Sequence, residues 1–316
     1  MQPDLVRRRR LTALAGVALL AGLAGAVAGA GAGDGGRDAG GSAAGAKATT
    51  VAVRPNHLPG GGRRLFPDRR VVAFYGNPRD DELGALGIGT PSRAARRLVR
   101  QAMPYDRASR RVLPAMELIS TVATAAPGRS GLYRDRMAFS TIRRYLKAAR
   151  RVEALLILDV QPGRGEFGPE IERLEPFLRE PDVGLALDAE WHVGPDQLPG
   201  KVIGSTDADV VNSAARFMAR LVRERNLPDK LLLVHRFTDD MIARPQRLQQ
   251  FAGVRTVVNV DGFGSNSVKM AKYRSFVAGT PRMGRGFKLF YKEDVQTMTP
   301  RQVMALTPRP DVVVYE

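Results

Sequence analysis

Two carboxylates, Asp188 and Glu190, lie two residues apart near the end of the apolar run VGLALDAEW (residues 183–191). Because side chains alternate between the two faces of a strand, both carboxylates are expected to point to the same side. Two carboxyl groups beside an acetal oxygen can hydrolyse a glycosidic bond: one protonates the leaving oxygen, and the other attacks or activates water. Trp191 adds a flat apolar face for a sugar ring. The motif therefore predicts a glycan-cleaving site in which Glu190 is the general acid.

Other apolar runs also end in polar side chains of the parity that places them on one side of the sheet. Asp188 and either Asp159 or Asp261 are expected to shape the charge and to position the second reactant. The candidate catalytic residues are Glu190, Asp188, Asp159 and Asp261, and the candidate substrate-binding residues are Trp191, His235, Gln161, Tyr75, Asn259 and Tyr291. Glu117, Glu293 and Glu316 hold comparable positions. Clustered carboxylates repel one another, so some of them must be protonated, hydrogen-bonded or paired with a cation.

The elements that would position these residues follow a regular alternation. Eight short runs rich in β-branched and apolar residues span 71–76, 115–123, 154–161, 183–191, 231–237, 256–263, 287–293 and 311–316. Stretches with helical spacing separate several of them, as in Phe139, Ile142, Leu146 and Ala149. Continuous apolar strands that alternate with helices indicate parallel strands buried on both faces. We therefore predict an α/β fold, a (β/α)8 TIM-type barrel whose eighth helix is missing because the chain stops at Glu316.

Composition limits the remaining possibilities. The chain has 316 residues, a formal charge of +17 and no cysteine, which excludes disulfides, thiolate nucleophiles and thiolate metal sites. Four arginines precede a weakly hydrophobic stretch, so residues 1–33 are predicted to be an export signal. Residues 34–68 are expected to form a flexible Gly/Ala/Pro-rich linker and lead-in, and residues 69–316 the barrel. An uncleaved signal would instead tether the protein to a membrane through residues 11–30.

These features favour an exported, extracellular or envelope-associated monomer that acts on an anionic or neutral cell-envelope glycan. A basic surface favours anionic partners, but no nucleic-acid motif stands out, so no nucleic-acid partner is expected. No H-E-x-x-H spacing indicates a metal ion, and we expect no metal and no cofactor. Two alternatives stay open: a non-catalytic barrel that binds a wall polymer or partner protein, and a metal-dependent hydrolase with His235, Asp188, Asp261 and Asp159 as ligands.

Two resemblances add to these expectations. The D-x-E of Asp188 and Glu190 resembles the motif of chitinase-type and muramidase-type glycoside hydrolases, although the longer chitinase pattern is broken by Val183 and Ala186. Across residues 70–316, the segments YGNP, LDVQPGRG, LALDAEW, IGS, LLLVHRFT and VDGFG resemble a group of exported barrel proteins of high-GC bacteria. The second resemblance implies the extent of the domain and says nothing of its chemistry.

Overall fold

Eight parallel strands close into a barrel in the computed structural model, which describes residues 56–316. The strands of the described residues are β1 Arg69–Gly76, β2 Arg111–Ala123, β3 Arg134–Arg136, β4 Leu155–Val160, β5 Val183–Leu187, β6 Thr206–Asp207, β7 Lys230–Arg236, β8 Ile242–Ala243, β9 Val254–Val260, β10 Gly284–Leu289 and β11 Val312–Tyr315. The barrel runs β1-β2-β4-β5-β7-β9-β10-β11 and closes because β1 pairs in parallel with both β2 and β11. The predicted (β/α)8 TIM-type class and its eight strand positions are confirmed.

Six α-helices surround the barrel in the described residues: α1 Pro91–Ala102, α2 Phe139–Arg150, α3 Phe167–Leu178, α4 Ala208–Arg225, α5 Asn266–Gly279 and α6 Pro300–Met304. Each helix lies in the connection between two consecutive barrel strands. The residues with helical apolar spacing, Phe139 to Ala149, form α2 as predicted. The connection from β7 to β9 departs from the alternation. Within the described residues it contains only β8 and a short 3₁₀ helix, Pro245–Arg247.

Alternate residues of the barrel strands divide the apolar core into two layers. The inner layer contains Val71, Ala73, Ile157 and Ala186, whereas Leu185 and Leu187 pack between strands and helices. The lead-in supplies Leu58 and Leu65 to the inner layer, both fully buried. The backbone amide of Leu65 donates to the Asp229 carboxylate at the start of β7, so the lead-in closes the N-terminal end of the barrel. The polar side chains that follow the strands lie at the opposite, C-terminal end of the barrel.

The antiparallel pair β2–β3 extends one wall beyond the barrel rim. Glu170 of α3 is fully buried and forms ion pairs with Arg134 and Arg136 of β3, each at 2.7 Å. A buried carboxylate held by two guanidinium groups fixes the strand to the helix layer. The sequence reasoning did not foresee this hairpin, because RDR has no apolar alternation.

The predicted export signal and most of the predicted linker lie in residues 1–55, outside the described residues. Among residues 56–316, no helix is long and apolar enough to cross a membrane.

Candidate functional site

A pocket opens at the C-terminal end of the barrel, where the active sites of such barrels lie. It encloses about 840 Å³, including the part open to solvent. Six of the predicted site residues line it: Tyr75, Gln161, Asp188, Glu190, Trp191 and Asp261.

The segment that carries Glu190 and Trp191 is a 3₁₀ turn. β5 ends at Leu187, and Ala189–Trp191 forms a 3₁₀ helix, so the strand predicted to extend to residue 191 is four residues too long. The turn is held from outside by Gly204, whose amide donates to the Glu190 carbonyl at 2.6 Å. A Cβ at Gly204 would lie 2.2 Å from the His192 carbonyl oxygen. Only glycine permits this approach, which explains the IGS segment in the sequence.

A second loop forms the neighbouring wall. Glu82 and Leu83 line the pocket, and the loop folds back so that the Leu86 amide donates to the Tyr75 carbonyl at 2.9 Å. At Gly84, φ is +120° and a Cβ would lie 2.5 Å from the Tyr75 carbonyl oxygen. The glycines after YGNP thus bring this loop against the end of β1.

Tyr75, Gln161 and Asp188 form one hydrogen-bonded group. Gln161 accepts from the Ala123 amide through Oε1 at 3.1 Å, which directs its Nε2 towards the Tyr75 hydroxyl at 2.9 Å and Asp188 Oδ2 at 3.3 Å. The Tyr75 hydroxyl lies 3.2 Å from Asp188 Oδ2 and 3.3 Å from Asp159 Oδ2. Asp188 therefore has its Oδ2 fixed from two sides, while its buried Oδ1 has no hydrogen-bond partner among the described residues.

Asp159 lies behind this group and is fully buried. Burial, followed by the charge of Asp188, holds the pKa of Asp159 well above its usual range. Burial and the charge of Asp159 likewise raise the pKa of the Tyr75 phenol. The raised pKa favours the protonated form of Asp159, and the Tyr75 hydroxyl links this carboxyl group to that of Asp188.

A second buried group surrounds His235. Its Nδ1 lies 3.0 Å from Asp261 Oδ2 and its Nε2 lies 2.9 Å from Glu117 Oε1. Burial and the charge of Lys288 oppose the imidazolium, but the bonds to Asp261 and Glu117 outweigh them and raise the pKa of His235 well above its usual value. His235 is therefore an imidazolium held between two carboxylates.

Lys288 was missed by the sequence reasoning. Its Nζ lies 2.7 Å from Glu316 Oε2 and 3.2 Å from Asp261 Oδ2, and 3.8 Å from the centre of the Tyr75 ring. The inward residue of β10 is thus Lys288, and the strand ends before Tyr291. Tyr291 is 43% exposed and stacks on Tyr315, so the predicted inward direction of Tyr291 is wrong.

Asn259 faces the barrel interior, as predicted, but it does not line the pocket. It is fully buried, and neither atom of its amide has a hydrogen-bond partner among the described residues. Gly286 of β10 pairs with it, and a Cβ there would lie 2.5 Å from Asn259 Oδ1. The glycine therefore leaves room for the amide.

The described residues able to hold a metal ion are Glu117, Asp159 and His235, whose ligand atoms lie within 4.8 Å of one another. This set differs from the predicted His235, Asp188, Asp261 and Asp159. Both nitrogens of His235 already contact carboxylates, so a metal ion would have to displace one of them. The geometry fits a protonated histidine better than an imidazole ligand.

The predicted site residues therefore fall into three places. Tyr75, Gln161, Asp188, Glu190, Trp191 and Asp261 line the pocket; Asp159, His235 and Asn259 lie behind it in the barrel; and Tyr291 lies outside it.

No protein-family model and no curated protein matches the chain. Among solved structures, a β-glucuronidase of Parabacteroides merdae, solved with glycerol in its active site, is similar over 78% of this chain and 31% of its own, with a TM-score of 0.36 and 9% identity. A hyperthermophilic endo-β-1,4-glucanase in complex with substrate is similar over 65% of this chain and 77% of its own, with a TM-score of 0.33 and 7% identity. The chain spans about a third of the length of the first. Both neighbours are glycoside hydrolases by name, but similarity this weak assigns no chemistry, and the barrel rests on its own strand pairing.

Proposed function

We propose that the pocket hydrolyses a glycosidic bond, with Glu190 as the general acid. One observation carries the proposal: Asp188 and Glu190, at the C-terminal end of one barrel strand, line the same pocket together with Trp191. A proton donor, a second carboxylate and a flat apolar face are the groups that glycoside hydrolysis uses.

The surroundings of Asp188 suit the second role. Tyr75 and Gln161 hold its Oδ2, which fixes the plane of the carboxylate at the pocket wall. A fixed carboxylate needs little reorganisation when positive charge develops on the sugar ring. Asp188 therefore positions the second reactant and stabilises that charge.

Asp159 and Asp261 act from behind this pair. Asp159 is fully buried and contacts Tyr75, and Asp261 is bonded to His235 and Lys288. Both are positioning residues in this proposal. Asp159 keeps a proton close to Asp188, and Asp261 holds the two buried cations.

The natural substrate belongs to the cell envelope in this proposal, because the sequence predicts an exported protein. The export prediction depends on residues 1–33 and would be tested by the location of the full-length chain in its native host.

The direct test is Glu190→Gln. Hydrolysis is followed as new reducing ends released from a panel of neutral, acidic and amine-bearing polysaccharides. Loss of a general acid should lower turnover about 10²- to 10⁴-fold on these substrates. Aryl glycosides with good leaving groups need no proton on the leaving oxygen. The same variant should therefore lose much less turnover on these glycosides than on the polysaccharides.

Glu224→Gln is the matched control. Glu224 is 51% exposed on α4 and pairs with Arg220, far from the pocket wall, so its loss should leave hydrolysis unchanged. Undiminished polysaccharide hydrolysis by Glu190→Gln would refute the role of Glu190.

A non-catalytic glycan-binding barrel is the second candidate. The observation that favours it is the engagement of Asp159 and Asp261, two of the four predicted catalytic carboxylates, in contacts inside the barrel. Such a protein would bind one of the panel polymers and release no reducing ends from any of them.

A further inference from the structure

The pocket is acidic although the chain is basic. Its lining contains six carboxylates and one cationic side chain, Lys288: the carboxylates are Glu82, Asp188, Glu190, Asp261, Glu293 and Glu316. The chain as a whole has a formal charge of +17. A cleft lined by one sign of charge concentrates ligands of the opposite sign, so this pocket disfavours an anionic sugar.

The cations near the pocket are already engaged by particular carboxylates. Lys288 contacts Asp261 and Glu316. At the rim, Lys292 contacts Glu82 at 2.7 Å. These contacts account for three of the six carboxylates without involving Asp188.

Asp188 has a different environment. It is 3% exposed, its hydrogen bonds come from the neutral donors Tyr75 and Gln161, and it has no ion pair within 4.0 Å among the described residues. Its Oδ1 is buried and has no hydrogen-bond partner in that part of the chain. A carboxylate at a pocket wall that receives only neutral donors lacks a charged partner, and an ammonium group on the ligand supplies one.

Aromatic side chains complete the surroundings expected for an ammonium ion. Trp191, Phe263 and Phe290 line the pocket with Tyr75. The electron-rich faces of such rings attract cations, and Lys288 already lies over the Tyr75 ring. Carboxylates and aromatic faces together select a cation over a neutral group of the same size.

We propose that the ligand of this pocket is a glycan whose sugars carry free, protonated amines, bound with an ammonium group at the Asp188 carboxylate. The inference rests on the proposed function in taking the ligand to be a sugar. It replaces the anionic or neutral glycan expected from the sequence with a cationic, amine-bearing one.

The test compares matched sugars that differ at one position. Glucosamine and galactosamine are compared with their N-acetyl forms and with glucose and galactose by saturation-transfer NMR on the full chain. An added ion pair should make the amines bind about tenfold more tightly than either neutral series. The net positive charge of the protein works against this preference, so it must come from the pocket.

Asp188→Asn should abolish the preference, and Glu224→Gln should keep it. A second measurement uses the unaltered protein, in case the substitution at Asp188 impairs folding. Added salt, or a pH above the pKa of the sugar amine, should weaken amine binding and leave N-acetyl sugar binding unchanged. Equal or tighter binding of the N-acetyl sugars, or no binding of any probe, would overturn the inference.

The outcomes separate this inference from the proposed function. Amine-selective binding without hydrolysis of any amine-bearing polymer would support the ligand class and remove the catalytic role. Glu190-dependent hydrolysis of a neutral polymer, without amine selectivity, would support the catalytic role and overturn the ligand class.

Discussion

Replacing Lys288 with methionine should destabilise the fold by about 3 kcal/mol, because the substitution breaks a buried ion-pair group from one side. Lys288 is 3% exposed and contacts Asp261 at 3.2 Å and Glu316 at 2.7 Å. Methionine fills a similar volume, so the main loss is electrostatic.

The structure places this loss at the lower end of the range of about 3–5 kcal/mol for broken buried pairs. Asp261 keeps its contact with His235 at 3.0 Å and its bond from the Gly262 amide at 2.6 Å. The Glu316 side chain is 23% exposed and can take up water. The two carboxylates therefore keep part of their stabilisation without the lysine.

Urea unfolding near neutral pH measures this change. A loss of about 3 kcal/mol corresponds to a midpoint shift of about 1 M at a slope of about 3 kcal/mol per molar urea. The gap between the variant and the unaltered protein should narrow at mildly acid pH, because carboxylates left without their cation take up protons more readily.

Lys292→Met is the matched control. Lys292 pairs with Glu82, but these side chains are 56% and 63% exposed, so the loss should stay below about 1 kcal/mol. If Lys288→Met costs no more than Lys292→Met, the buried cation does not stabilise the barrel and the electrostatic reasoning fails.

Two further predictions concern other parts of the barrel. Gly204→Ala should displace the turn that carries Glu190 and lower both the hydrolysis rate and the stability, because the new Cβ would lie 2.7 Å from the Glu190 carbonyl oxygen. Gly168→Ala is the control, since a Cβ at Gly168 meets nothing within 4 Å. Equal rates and stabilities of the two variants would show that the close approach at Gly204 does not hold the turn. At the start of β7, burial lowers the pKa of Lys230 from 10.5 to about 7, although Asp182 and Glu180 oppose the shift. The unfolded chain therefore binds a proton that the folded chain rejects between these values, so stability should fall as the pH drops from 10.5 towards 7. Lys230→Met should flatten that slope in urea titrations, and an unchanged slope would show that Lys230 does not titrate as assigned.

Strand parity located most of the candidate site because a barrel strand has only two faces. Asp159 and Asp188 face inward as the alternation predicts, each continuing the inner apolar residues of its strand. Local alternation contains this information, and the closed sheet preserves it.

The alternation rule predicted the wrong inward-facing residue for β10, and the reason is physical. The apolar run FKLFYKE suggested that its tyrosine pointed inward, but the strand begins at Gly284 and places Lys288 inside. A lysine is buried only when distant carboxylates receive it, and Asp261 and Glu316 come from other strands. No pattern within the β10 segment contains that information.

The alternation of side chains could not predict the turn after β5, for a similar reason. Glu190 lines the pocket because a 3₁₀ turn directs it there, and Gly204 holds that turn through contacts with backbone oxygens fourteen residues or so earlier in the chain. The IGS segment does not reveal the backbone oxygens that Gly204 approaches, and only the folded chain identifies them.

The two buried cations determine which carboxylates of the mouth are available to a ligand. His235 and Lys288 both bind Asp261, and Lys288 also binds Glu316, so this side of the pocket is neutralised from within. Asp188 instead receives only neutral donors. Because charges inside a barrel are weakly screened, both cations also interact with the charge of Asp188 and moderate the negative potential of the whole pocket. A substitution at Lys288 should therefore alter ligand charge preference as well as stability, whereas a substitution at Asp188 should alter preference with a smaller effect on stability.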